Sequence, residues 1–232
     1  FTPFPTIFAN NTIDALRDPT TAIFSAERGG SWHIYTSSMV CRDPPPHNCG
    51  GGYPGRIRHF STSGTLEAGP AARSGMWKDE GLVLEPEYGS NAWDASGTFT
   101  PGVVKECAGA ACKFFLFFGG VENQTSAHTE SVGVAIAESA WGPFRKYEHN
   151  PVFSMWGANT EWCRETSAPA RVDEIKATQV GASGGRFLAV KAVCANFTAL
   201  PVLYSPVNPG SWAPPCAHSN APVGTSSSCS RV

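Results

Sequence analysis

The sequence predicts an all-β fold made of repeated antiparallel meanders, and three observations carry that expectation. The 232-residue chain holds 24 Gly and 19 Pro, spread at spacings that would interrupt most helices. Its β-branched and aromatic residues gather in short runs of strand length. One pattern occurs three times: an apolar run breaks at a Gly-rich turn and resumes at a bulky aromatic thirteen residues on, from Pro19 to Trp32, Pro101 to Phe114 and Glu174 to Phe187. An internal repeat of this kind indicates a radial or solenoid β architecture. Aligned on one another, the repeats place Asp18, Thr100 and Asp173 at one equivalent position, expected one residue before each first strand.

The elements follow in order. Unit one runs from Pro19 through Trp32-His-Ile-Tyr-Thr36 to Gly55–Ser63 and a turn at Trp77. Unit two runs from Pro101 through Phe114–Phe118 to Ser131–Ser139 and the turn Trp141-Gly-Pro-Phe144. Unit three runs from Glu174 through Phe187 to Ala199–Pro206 and a turn at Trp212. Each is thus a meander of three or four strands, the form of a propeller blade. The units begin at 18, 100 and 173, so the periods are 82 and 73 residues, against about 45 for a bare four-stranded blade. Insertions at Cys41–Tyr53 and Gly119–Thr129 and connections at Leu84–Gly97 and Phe153–Pro169 supply the excess. Residues 1–215 are expected to hold the blades and 216–232 a tail tethered by disulfides. Three units fall short of the four to eight blades of a typical closed ring. The propeller is therefore expected to be incomplete in this chain, to continue in a longer one, to be completed by another chain, or to be an open assembly.

Composition excludes several functions. With 17 basic and 19 acidic residues the formal net charge is −2, and no basic run exceeds a pair, so nucleic acid is not an expected partner. The apolar stretch Phe114–Val121 is short and broken by Gly119 and Gly120, so no membrane span is expected. Eight cysteines and three glycosylation acceptors, at Asn10, Asn123 and Asn196, favour a secreted, extracellular glycoprotein. Phe1–Phe8 lacks a basic start and a long apolar core, so any targeting segment is expected to have been removed already. Cys41 with Cys49 and Cys107 with Cys112 are the preferred disulfides because each closes a loop in one hairpin, leaving Cys163 with Cys194 and Cys216 with Cys229. No C-x-x-C occurs and His47 stands alone between Cys41 and Cys49, so no zinc site is expected.

The candidate chemistry lies at the repeated acidic position. A radial fold would aim Asp18 and Asp173 at one axis, and two carboxylates across a sugar-sized cleft suit hydrolysis of a glycosidic bond. Taken singly, Asp18-Pro19 is an ordinary turn dipeptide and Asp173-Glu174 an ordinary solvated pair at a strand end. Their shared register favours the functional reading. Trp93 and Asp94, just ahead of the second inner strand, suit sugar binding through an aromatic face and a carboxylate, although an Asp turn closed by Gly97 explains them equally well. Thr100, His128 and Glu174 complete the candidate substrate-binding set. Gly181-Ala-Ser-Gly-Gly185 satisfies G-x-S-x-G but is expected to be a hairpin turn, not a strand-to-helix nucleophile elbow. His33 reads as a packed or surface strand residue, and Trp32 and Phe114–Phe118 as core.

These residues carry a resemblance. Arg17-Asp-Pro-Thr-Thr-Ala-Ile-Phe24 followed by Trp-His-Ile-Tyr-Thr resembles the first blade of the five-bladed β-propeller glycosidases of families 43 and 117. Phe99-Thr-Pro-Gly-Val-Val before Phe-Phe-Leu-Phe-Phe resembles their second blade, and Ser139-Ala-Trp-Gly-Pro-Phe-Arg-Lys146 their S-P-x-G-P-F outer turn. Arg171-Val-Asp-Glu-Ile-Lys is similar to their third-blade segment, with Glu174 where Pro is usual. The resemblance implies a secreted glycoside hydrolase acting on a polysaccharide or oligosaccharide with inversion. Asp18 would then be the base that activates water, and Asp173 the acid that tunes the proton donor. The donor itself would sit on a fourth blade; Glu161 and Glu165 are the candidate substitutes. No cofactor is required, although some relatives hold a structural Ca²⁺. The alternative is a non-catalytic carbohydrate-binding or structural propeller module that assembles with other extracellular chains.

Overall fold

In the computed structural model, residues 14–40, 55–63, 77–87, 92–121, 130–152, 171–180, 185–193 and 199–204 are described. They form strands and one short 3-10 turn, Glu27–Gly29. Blade one comprises β1 (Asp14–Arg17) and β2 (Ile23–Ser25) as a divided inner strand, then β3 (Ser31–Val40), β4 (Gly55–Ser63) and β5 (Lys78–Leu84). Blade two is β6 (Gly97–Ala108), β7 (Ala111–Val121), β8 (Glu130–Ala137) and the short β9 (Arg145–Lys146). Blade three is β10 (Arg171–Val180), β11 (Gly185–Val193) and β12 (Ala199–Tyr204). Within each blade the neighbours are antiparallel, and a single parallel contact between Gly55 and Gly97 joins blades one and two.

The strands form where the repeat places them. Phe114, Leu116, Phe118, Ala135 and Ala137 of blade two meet Tyr35, Ile57 and Leu84 of blade one in a common core, so the apolar runs bury their surface between blades. The hairpin registers are also shared: Phe114 lies opposite Lys105 and Phe187 opposite Thr178, five residues after Thr100 and Asp173 respectively. Cys107 and Cys112 face one another near the tip of the β6–β7 hairpin and form a disulfide, with Cα atoms 4.0 Å apart. The other six cysteines lie outside the described residues.

Two boundaries differ from the sequence expectation. Asp18, Thr100 and Asp173 do not precede their inner strands: Asp18 lies between β1 and β2, Thr100 within β6 and Asp173 within β10. Sheet pairing begins upstream of each and is locally interrupted there. Gly119 and Gly120 belong to β7 and do not open an insertion. Their place in the strand has a packing cause: a Cβ on Gly120 would come within 2.0 Å of the Trp93 ring, and one on Gly133 within 2.5 Å. The two glycines let the Trp93 ring lie directly on the sheet.

Candidate functional site

The repeated position is an irregularity in all three inner strands. Between Arg17, opposite Ser37, and Ile23, opposite His33, the inner strand takes six steps while β3 takes four. Between Phe99, opposite Gly119, and Gly102, opposite Phe117, β6 takes three steps to the two of β7. Between Val172, opposite Ala192, and Glu174, opposite Lys191, β10 takes two steps to the one of β11. Each inner strand therefore carries extra residues at Asp18, Thr100 or Asp173. Such bulges re-aim side chains and gather beside active sites.

Backbone conformation marks the first two positions further. Asp18 has φ 52° and Thr100 φ 47°, both in the left-handed region that non-glycine residues seldom occupy. Each is followed by proline, which disfavours ordinary helical geometry in the preceding residue. Residues held in such conformations need surrounding contacts to fix them. Thr20 supplies one set: its N–H donates to the Tyr35 carbonyl at 2.8 Å, and its hydroxyl accepts from the Tyr35 N–H at 3.1 Å. Thr20 thus ties the chain back to β3 two residues after Asp18, ahead of the start of β2 at Ile23.

Ser37 joins the two left-handed residues. Its hydroxyl donates to Asp18 Oδ2 at 3.4 Å and accepts from the Thr100 N–H at 2.8 Å. Ser37 is fully buried and Asp18 half-buried. The Thr100 hydroxyl is buried without a hydrogen-bond partner. Asp18 and Thr100 are therefore brought together. Asp173 and Glu174 share the register on β10, while His128, Glu161 and Glu165 and the three sequons at Asn10, Asn123 and Asn196 lie outside the described residues.

Trp93 and Asp94 sit on the turn ahead of β6 and face inward. The Trp93 ring stacks on Phe118 with centroids 5.4 Å apart. Asp94 is 0% exposed and pairs through Oδ2 with Lys146 Nζ at 2.5 Å, leaving Oδ1 without a partner. A turn bond from the Gly97 N–H to the Asp94 carbonyl closes this corner at 3.0 Å, and a Cβ on Gly97 would come within 2.5 Å of the Phe99 ring and 2.7 Å of the Gly55 nitrogen, the local reason for glycine there. Among the described residues, no group of three or more His, Cys, Asp or Glu gathers to hold a metal ion.

A second polar cluster underlies the seam between blades one and two. His33 Nδ1 and His59 Nε2 are 2.8 Å apart, and His33 Nε2 lies 2.8 Å from Ser31 Oγ. Burial lowers both imidazoles to about 4, with His33 adding to the shift of His59. His59 stacks between His33 and Tyr35, and both imidazoles meet Trp141 edge to face. The Ser139–Trp141 turn of blade two docks here: Tyr35 donates to the Ala140 carbonyl at 2.5 Å, Ser139 donates to the Glu27 carboxylate, and Arg28 lies 4.3 Å over the Trp141 ring. Sequence reading missed Ser37 and this histidine pair. Ser37 stands in the hydroxyl-rich run Thr36-Ser-Ser38, the one available signal.

The architecture is that of the β-propeller glycosidases. No protein-family model matches the sequence, and no curated protein matches it in sequence either. Among solved structures, the chain is similar to Zg3597, a family 117 glycoside hydrolase produced by the marine bacterium Zobellia galactanivorans, with 18% identity and a TM-score of 0.58. That match covers 82% of this chain and 52% of the other. It is also similar to a thermostable family-43 glycoside hydrolase, with 17% identity and a TM-score of 0.52 over 85% of this chain and 56% of that one. The chain spans about half the length of these solved relatives.

Proposed function

We propose that the chain belongs to a secreted glycoside hydrolase that cleaves a polysaccharide or oligosaccharide with inversion. The observation that carries this reading is the recurrence of a bulged position, Asp18, Thr100 and Asp173, on three inner strands of a glycosidase-type propeller. In this reading Asp18 is the general base that removes a proton from the attacking water, as the water attacks the anomeric carbon from the face opposite the leaving group. Asp173, at the equivalent position of the third inner strand, is in this reading the acid that tunes the proton donor and holds the sugar. The donor protonates the departing glycosidic oxygen and comes from a further blade, or from Glu161 or Glu165. Glycans are the expected partner, with Thr100 at the matching position of the second inner strand read as part of the sugar-binding set.

The experiment is release of reducing ends from a panel of polysaccharides and oligosaccharides, with NMR to identify the first anomer formed. Asp18→Asn removes the base while keeping size and shape, and should lower turnover by at least the 10²–10⁴-fold that general base catalysis contributes. Turnover unchanged in folded Asp18→Asn protein overturns the assignment. Glycan binding with no turnover in the parent chain would favour the carbohydrate-binding alternative.

A further inference from the structure

We propose that Ser37 is a positioning residue that fixes the Asp18 carboxylate by tying it to the backbone of the neighbouring blade. The inference rests on the reading of Asp18 as the base and adds a residue and a coupling between blades.

The geometry makes the role specific. A serine hydroxyl has one proton to give and lone pairs to receive, and both uses are taken: the proton points to Asp18 Oδ2 and a lone pair to the Thr100 N–H. The 2.8 Å amide bond is short and anchors the hydroxyl, whereas the 3.4 Å contact to the carboxylate is long. The Ser37 backbone belongs to the blade-one ladder, and its hydroxyl is oriented chiefly by blade two while it restrains a residue of blade one. Its burial keeps water from replacing either bond. Because Ser37 pairs across the sheet with Arg17, it lies directly beside the point where the inner strand leaves the ladder. Asp18 and Thr100 both hold left-handed backbones, and a single hydroxyl between them fixes the two bulges relative to one another.

The test uses Ser37→Ala and Ser37→Thr in the full chain, with Asp18→Asn as reference. Ser37→Ala should lower kcat about 10- to 100-fold, the scale of misplacing a reacting group by about an ångström, with KM changed less than about twofold. Ser37→Thr keeps the hydroxyl and should recover at least a third of the turnover. Independently of catalysis, the Thr100 amide should exchange with solvent faster in Ser37→Ala than in the parent, with protection returning in Ser37→Thr. Should Ser37→Ala not fold, Ser37→Thr decides: retained turnover and Thr100 protection support the proposal, and loss of either in folded protein overturns it. Asp18-dependent turnover unaffected by Ser37→Ala, or a Thr100 amide unaffected by it, also overturns it. Turnover insensitive to Asp18→Asn would instead mark failure of the hydrolase reading, and the Thr100 exchange would then decide whether the Ser37 link exists.

Discussion

At the scale of single residues, burial decides which acids are free to act. Asp94 is fully buried against Lys146, whose amine also lies 4.0 Å from the exposed Glu87 carboxylate. The surface contact contributes little, but the Asp94 pair is dry enough for its loss to matter. Lys146→Met leaves a buried carboxylate unpaired and should cost about 3 kcal/mol, the lower part of the range for breaking such a pair. Chemical denaturation measures it. The Asp94→Asn/Lys146→Met double variant should recover much of the loss, and equal destabilisation of single and double variants would refute the pairing argument. Asp18 differs: it is half-buried, left-handed and held by one long hydroxyl contact, the setting that the proposed base requires.

At the scale of elements, the β3–β4 ladder buries an imidazole pair whose protonation opposes folding. Glu27 and Arg28 face His33 from the 3-10 turn, Glu80 and Asp79 approach from β5, and Lys105 from β6. Burial outweighs the carboxylates, so both rings stay neutral in the fold down to about pH 4. Unfolded histidines take up protons below about 6.5. Between those limits the unfolded chain binds more protons, so stability should fall as pH drops from about 6.5 to 4, by about 1.4 kcal/mol per pH unit for each proton taken up. Unfolding free energies across this range should show a steeper slope in the parent than in a His33→Phe/His59→Phe variant. Identical slopes would contradict the assignment. Element types were legible in the sequence because the apolar runs have strand length and those of β4, β6 and β10 stop at a glycine; β4 coincides with the expected Gly55–Ser63. The extent of β7 through Gly119 and Gly120 was not, because Gly120 lies under the ring of Trp93, distant in sequence. The histidine pair was hidden for the same reason, as its members lie 26 residues apart on two strands.

At the scale of the whole molecule, blade repetition sets the same local irregularity on three inner strands. The thirteen-residue spacing marked Asp18, Thr100 and Asp173 as equivalent, and the structure gives the physical meaning of that equivalence: each inner strand carries surplus residues there. Left-handed backbone at Asp18 and Thr100 was not legible, since neither residue is glycine. Nor was the Ser37 bridge, which needs β3 of blade one and β6 of blade two brought within hydrogen-bond reach. The direct test of the central claim, that these positions form one sugar site, is an amide NMR titration of the full chain with oligosaccharides, including any substrate found in the turnover panel. The account predicts that the amides of Asp18, Ser37, Thr100 and Asp173 shift together and saturate with one dissociation constant. Shifts confined to the outer strands of blade two, for example around the open pocket of about 660 Å³ lined by Ile136, Pro143, Arg145 and Tyr147, with the inner-strand positions unmoved, would contradict it.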